Sequence, residues 1–104
     1  MVVTLDLAQH ELVLAGSLDV HSVGDVRTAL HTAIDASPGD LVVNLAEVEV
    51  IDATGLGVLV GAHRRAARAG KQLILRDVPP RMQRLLRATR LHRVLVMEST
   101  AALA

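Results

Sequence analysis

The chain has 104 residues, with 11 acids balancing 11 lysines and arginines, and it contains neither cysteine nor any aromatic residue. This length fits a single domain over residues 1–104, and the absence of cysteine excludes disulfides and thiolate metal sites. No apolar run reaches the roughly 18 residues of a membrane span. The N-terminus also lacks the basic and apolar regions of a signal peptide, so we expect a cytoplasmic protein without membrane insertion.

The first part of the chain predicts two strands followed by a helix. The apolar residues of 3–7 alternate with polar ones, as in a half-buried strand, and the apolar run 12–16 predicts a second strand. Residues 23–34 then carry apolar side chains at helical spacing, with Ser22 as the expected N-cap. The turn-forming segment 37–40 ends that helix.

The rest of the chain alternates strands with helices. The run 41–45 predicts a strand buried on both faces, and we expect residues 46–51 to form a connector. A helix is expected to open at 52–55 and to end near Ala69, before Gly70. Further along we predict, in order, a strand at 72–75, a helix starting within 77–80, a strand at 94–96 and a short apolar end at 100–104. This alternation indicates an α/β domain with a largely parallel sheet.

The charges are distributed unevenly along the chain. Residues 1–60 contain nine acids and one base, Arg27, whereas residues 61–104 contain ten bases and two acids. Such a split can produce an acidic and a basic face that steer a charged partner. The two halves can equally interleave in the fold, so that their charges neutralise one another, and the sequence leaves both arrangements open.

The most informative segment is 52–57, with the sequence DATGLG. A carboxyl or hydroxyl side chain before a helix commonly serves only to cap the free N–H groups of the first turn. The helix that follows, however, contains Gly55, Gly57 and Gly61, and each interior glycine costs roughly 1 kcal/mol relative to alanine. Gly57, Gly61 and Arg64 lie at helical spacing along one line. This strip suits the close approach of another protein, although close packing on the sheet would also demand small residues.

The sequence resembles the STAS domain of bacterial anti-sigma-factor antagonists in three stretches. They are LAGSLD at 14–19, LVVNL at 41–45 and IDATGLGVL at 51–59, and the third is the most specific. The resemblance covers essentially the whole chain. It implies a single STAS-like α/β domain, in which a mixed and mostly parallel sheet of four to five strands packs with three to four helices.

The resemblance also implies a function and a site. In that family the hydroxyl residue directly before the helix-opening glycine is phosphorylated by a partner that is both anti-sigma factor and serine/threonine kinase. Here that residue is Thr54. The unphosphorylated chain is expected to bind this partner and release the sigma factor, phosphorylation is expected to stop the binding, and a phosphatase is a further implied partner. The expected partner-binding residues are Asp19, Asp52, Ala53, Thr54, Gly55, Gly57, Gly61 and Arg64, where Ala53 stands at a position that is commonly serine in the family.

A second role stays open at this point. STAS domains also serve as accessory subunits that dock on the ATPase of lipid-trafficking ABC transporters, and their motif looks similar. The sequence does not separate a sigma-regulating module from a transporter-docking one. The identity of the bound partner would distinguish the two roles.

No pattern points to catalysis, to a cofactor or to a metal. The five histidines lack metal-ligand spacing, and no glycine-rich loop carries the lysine of a phosphate-binding loop. Thr54 has no recognisable base beside it, so we expect no enzyme activity. The arginines of 64–93 favour a solvated basic face over nucleic-acid binding, because aromatic residues for base stacking are absent.

Overall fold

A computed structural model describes residues 1–6 and 8–98. Within them, five strands form one sheet in sequential order. β1 and β2 are antiparallel, whereas β2, β3, β4 and β5 run parallel to one another. The elements are β1 (Val2–Asp6), β2 (Glu11–Leu18), α1 (Val23–Ala36), β3 (Leu41–Ile51), α2 (Ala53–Arg68), β4 (Leu73–Arg76), α3 (Pro80–Ala88), a short 3₁₀ helix (Leu91–Arg93) and β5 (Val96–Glu98).

This architecture confirms the predicted α/β class with a mixed, mostly parallel sheet, and it corrects two element boundaries. Residues 46–51 are not a connector but the second half of β3, paired with β2 through Ile51. Two register shifts in that pairing break the alternation of buried and exposed residues, which explains why the pattern did not read as a strand. The last strand begins at Val96 rather than at residue 94, after the 3₁₀ turn. The predicted apolar end at 100–104 lies outside the described residues.

The buried side chains of the strands lie on one face of the sheet. Leu12 of β2, Val43 of β3 and Leu75 of β4 are neighbours in register, and all three are fully or almost fully buried. Sequential parallel strands joined by right-handed connections place their helices on the same face. The helices therefore pack on this side, where α1 and α2 contribute the buried residues Leu30 and Leu59.

The opposite face of the sheet carries a polar network of partly buried side chains and the exposed Glu98. Arg76 of β4 forms ion pairs with Glu11 of β2 at 3.2 Å and with Glu98 of β5 at 3.4 Å. Asn44 of β3 donates a hydrogen bond to Glu11 Oε2 at 3.3 Å. An acid from the first half of the chain thus meets a base from the second half in the middle of this face.

A second contact between the two halves of the chain joins α1 to α2. Arg65 donates two hydrogen bonds to the carboxylate of Asp35, at 3.1 and 2.8 Å. The hydrogen bonds from Arg65 hold the pKa of Asp35 below its ordinary value. Acids from the first half of the chain therefore pair with bases from the second half, both on the open face of the sheet and between α1 and α2. Neither region separates into an acidic and a basic part.

Candidate partner-binding site at the start of helix α2

The start of α2 is organised by the side chain of Asp52. The backbone N–H of Asp52 donates to the carbonyl oxygen of Leu18 at 3.2 Å, which places the residue at the carboxyl ends of β2 and β3. Its Oδ1 accepts the N–H of Gly55 at 2.8 Å, so Asp52 is the N-cap of α2. Its Oδ2 accepts the N–H of Val20 at 3.3 Å. One carboxylate therefore caps the helix and also holds the loop between β2 and α1.

Thr54 lies inside the first turn of α2 rather than at the cap. The capping role that the sequence indicated for a carboxyl or hydroxyl side chain of this segment belongs to Asp52 and not to Thr54. Thr54 is exposed, and its hydroxyl makes no hydrogen bond within the described part of the chain. The fold makes no use of this hydroxyl, which is free to meet a partner or an enzyme.

The loop before α1 is held by hydrogen bonds of its own. Ser22 Oγ accepts the N–H of Asp19 at 3.1 Å and donates to the carbonyl oxygen of Ser17 at 2.8 Å. Asp19 Oδ1 accepts the N–H of His21 at 2.9 Å. Ser22 occupies the predicted N-cap position of α1, but its hydroxyl bonds to the loop and not to a helix N–H. These contacts fix Val20 in an exposed position.

The glycines of α2 divide into one that packing requires and two that it does not. Gly55 is buried, and a Cβ added to it would collide with the carbonyl oxygen of Leu18 and lie 2.9 Å from Leu18 Cγ. Gly57 and Gly61 are exposed, and nothing lies within 4 Å of a Cβ added to either. Sheet packing therefore explains Gly55 alone. Gly57 and Gly61 form an open strip that leads along α2 to the exposed Arg64.

Two exposed valines beside Asp52 were not predicted as part of the site. Val20 is 62% exposed and Val50 is 55% exposed. Val50 pairs with Ser17 at the end of the sheet, and the Val20 N–H bonds to Asp52, so both valines lie at the edge that bears Thr54. We call Val20, Val50, Ala53 and Thr54 the α2-start surface. The sequence did indicate that both valines could be exposed. Val20 stands between polar residues in a loop, and Val50 does not follow the alternation of apolar residues that forms the buried side of β3.

Acidic side chains border this neutral, partly apolar surface. In the sequence, Asp19 directly precedes Val20 and Glu49 directly precedes Val50. Asp52 lies between the end of β3 and the start of α2. Within the described residues none of the three acids forms an ion pair. In contrast to the acids of the sheet and of the α1–α2 contact, these three acids are not neutralised by an ion pair in the described part of the chain.

The predicted site residues occupy one edge of the fold and the helix that leads away from it. Asp19, Asp52, Ala53 and Thr54 lie at the carboxyl ends of β2 and β3. Gly55 is beside them but buried, so it shapes the site through backbone packing and offers no side chain to a partner. Gly57, Gly61 and Arg64 follow on the exposed side of α2. Among the described residues, no cluster of three metal-ligating side chains is found.

The family model of the STAS domain matches residues 5–104. The chain belongs to the STAS domain family. The anti-sigma-B factor antagonist of Staphylococcus aureus (strain NCTC 8325 / PS 47) is 33% identical over 80 residues, which cover 77% of this chain and 74% of that protein. In the described part of this STAS domain, we find no helix with the length and hydropathy that a membrane span requires.

Two solved structures of the anti-sigma factor antagonist SpoIIAA share the fold of this STAS domain. Its unphosphorylated form has a TM-score of 0.69 at 22% identity, covering 93% of this chain and 87% of that one. The Bacillus SpoIIAA in its phosphorylated form has a TM-score of 0.70 at 22% identity, covering 97% and 95%. A STAS fold of this kind has therefore been solved both with and without phosphorylation.

Substitution of the glycines should have opposite effects on stability. Gly55→Ala is expected to lower the free energy of unfolding by about 1–3 kcal/mol, because the added methyl group collides with fixed backbone. Gly57→Ala and Gly61→Ala are expected to raise it by up to about 1 kcal/mol each, since both sites are open and helical. Urea unfolding of the three variants measures the difference. A Gly55→Ala protein as stable as the wild type would contradict this packing.

The two oxygens of Asp52 can be tested separately. Asp52→Ala removes both contacts and should cost about 1 kcal/mol of stability through loss of the cap. Asp52→Asn keeps one oxygen for the Gly55 N–H but replaces the other with an amide that cannot accept from Val20. We expect near-native stability for Asp52→Asn together with faster hydrogen exchange of the Val20 amide. Unchanged exchange at Val20 in both variants would show that the carboxylate does not hold the loop.

Proposed function

We propose that this STAS domain is an anti-sigma-factor antagonist that binds through the α2-start surface. The observation that carries the proposal is the exposed Thr54 hydroxyl, which the fold does not use, at the position where the family resemblance expects a phosphorylation site. The relatives named as anti-sigma factor antagonists support the same assignment. The proposed partner is an anti-sigma factor with kinase activity, and binding to it releases the sigma factor. The proposal describes a binding protein and no enzyme.

The surface has the chemistry of a small protein interface. Val20 and Val50 offer apolar area whose burial is favourable at about 25 cal/mol per Å². Ala53 and Thr54 add small, neutral, exposed side chains to the same surface. The exposed strip at Gly57 and Gly61 lets a partner's backbone approach α2 closely, and Arg64 at its end supplies a cation for a hydrogen-bonded contact.

Phosphorylation of Thr54 would change this interface without disturbing the fold. The modification adds about −1.5 to −2 charges at pH 7 to the centre of a neutral surface. In the free protein the first turn of α2 tolerates this charge, because helix N-termini favour anions. Asp52 keeps its bond to the Gly55 N–H, so the phosphate need not displace the cap. In the complex the same charge would be buried without a matching cation, at a cost of several kcal/mol. A phosphatase that removes the phosphate would restore binding.

The switch predicts an order of affinities among Thr54 variants. Thr54→Ala should bind the anti-sigma factor about as well as the wild type, because the interface needs a small neutral side chain. Thr54→Asp should bind at least tenfold more weakly, about 1.4 kcal/mol. Both variants should remain within about 0.5 kcal/mol of wild-type stability, since the hydroxyl has no structural bond. Titration calorimetry with the anti-sigma factor and urea unfolding provide the two measurements.

A matched control separates this local effect from a general effect of negative charge. Thr32 is an exposed threonine in the last turns of α1, and Thr32→Asp introduces the same change outside the α2-start surface. It should bind as the wild type does. Equal binding by folded Thr54→Asp and Thr32→Asp would show that the partner does not contact Thr54. Incubation with the anti-sigma kinase and ATP should phosphorylate the wild type and Thr32→Asp, but not Thr54→Ala.

The acidic border predicts a dependence on salt. Asp19, Glu49 and Asp52 surround the α2-start surface without ion-pair partners in the described part of the chain, so they are available to steer a basic partner surface. The association rate should fall as ionic strength rises from low to physiological salt, while the dissociation rate changes little. Stopped-flow mixing at several salt concentrations tests this. An association rate independent of salt would place the acids outside the encounter surface.

The identity of the bound protein is the decisive observation for the function as a whole. A pull-down with the wild-type chain from the native cytoplasm should recover an anti-sigma factor, and Thr54→Asp should recover less of it. Recovery of the ATPase of a lipid-trafficking transporter instead would replace this proposal with the transporter role that the sequence left open.

A further inference from the structure

The second half of β3 has a strand partner on one side only. β4 pairs with Leu41–Asn44, and β2 pairs with β3 as far as Ile51. Within the described residues, the edge of 45–51 that faces away from β2 therefore has no neighbouring strand. Ala46 is partly satisfied, since its N–H donates to Asn44 Oδ1 at 2.9 Å. An unpaired strand edge presents backbone donors and acceptors that can template another strand.

Helix α3 is set back from this edge and leaves a groove. Just after β4, Asp77 has a φ of 53°, which is a left-handed conformation. The two prolines that follow lead into α3, so that this helix stands opposite the edge of β3 instead of filling it. The resulting groove has a volume of about 690 Å³. Residues 48–51 of β3 line one side of it, and Met82, Leu85, Arg81 and Arg84 of α3 line the other.

The lining of the groove combines apolar walls with a net positive charge. Its only charged residues are Glu49, Arg81 and Arg84, which gives 2 − 1 = +1. Both arginines are exposed, and neither forms an ion pair within the described residues. The groove therefore favours a ligand that carries carboxylates as well as apolar groups.

We propose that this groove binds an extended acidic peptide segment of a partner protein, which adds to β3 as a further strand. The peptide backbone would pair with the open edge at 48–51. Alternate side chains would enter the apolar groove, and the intervening acidic side chains would meet Arg81 and Arg84. A fatty acid would also match an apolar groove with two arginines, but it would leave the backbone edge of β3 unpaired. The edge is what favours a peptide.

The groove shares Val50 with the α2-start surface, but its wall on α3 lies outside that surface. Its test does not depend on an anti-sigma factor. A phage-displayed library of random heptapeptides is selected on the wild-type chain. The expected consensus alternates apolar and acidic residues. A synthetic peptide with that consensus, added to the labelled protein, should shift the amide resonances of 48–51 and of the first turn of α3. It should bind at least tenfold more weakly when its backbone is N-methylated at alternate positions, because those N–H groups would pair with β3.

Charge reversal on α3 provides the matched comparison. The double variant Arg81→Glu and Arg84→Glu should lose at least tenfold in affinity for the peptide. Arg87→Glu changes an exposed arginine of the same helix outside the groove lining and should retain wild-type affinity. Circular dichroism confirms that each variant is folded.

Four results would overturn the proposal. They are the absence of any enriched peptide, enriched peptides that leave the resonances of 48–51 unchanged, equal affinity for the double variant and for Arg87→Glu, and full affinity of the N-methylated peptide. Laurate that shifts the same resonances, in the absence of any selected peptide, would identify the groove as a site for an aliphatic chain instead.

Discussion

Two hydrogen bonds to one carboxylate hold together the part of this domain that is proposed to function. Asp52 accepts the N–H of Gly55 at 2.8 Å and that of Val20 at 3.3 Å, while its own N–H bonds to Leu18. The start of α2, the loop after β2 and the end of β3 thereby become one rigid edge. The close approach of Leu18 to Gly55 depends on the same arrangement, because a Cβ at residue 55 would collide with the Leu18 backbone. A change at any of these residues would move the others.

The cap explains why a hydroxyl is available at the next turn. If Thr54 had to cap the helix, its oxygen would be committed to a backbone N–H, and a phosphate there would compete with the fold. Because Asp52 takes that task, the Thr54 side chain can be modified or covered by a partner at little structural cost. The exposed valines supply apolar area around the hydroxyl, and the acids supply a charged border. In the proposed function, capping and regulation therefore belong to two neighbouring residues rather than to one.

Most of the fold could be predicted from the sequence, whereas the role of the predicted site residues stays a prediction. The helices and the short parallel strands follow from apolar periodicity, which is a local property. The full length of β3 could not be predicted in this way, because two register shifts against β2 disrupt the alternation of apolar and polar residues. The glycines of α2 show the same limit. The sequence marked Gly55, Gly57 and Gly61 as unusual, but only contacts with Leu18 and Ile51 separate the packed glycine from the two open ones. The groove beside α3 leaves no pattern in the local sequence, because it forms where β3 extends beyond the end of β4.

A hydrogen-exchange footprint of the complex tests most directly whether the anti-sigma factor covers the α2-start surface. Bound and free protein would be compared by amide exchange read out by mass spectrometry. Coverage of this surface predicts slower exchange in the β2–α1 loop around Val20 and in the first turns of α2 through Gly61. It predicts no change at the far end of α1, around Ala36. Protection confined to other elements, with exchange around Val20 and Thr54 unaltered, would contradict it.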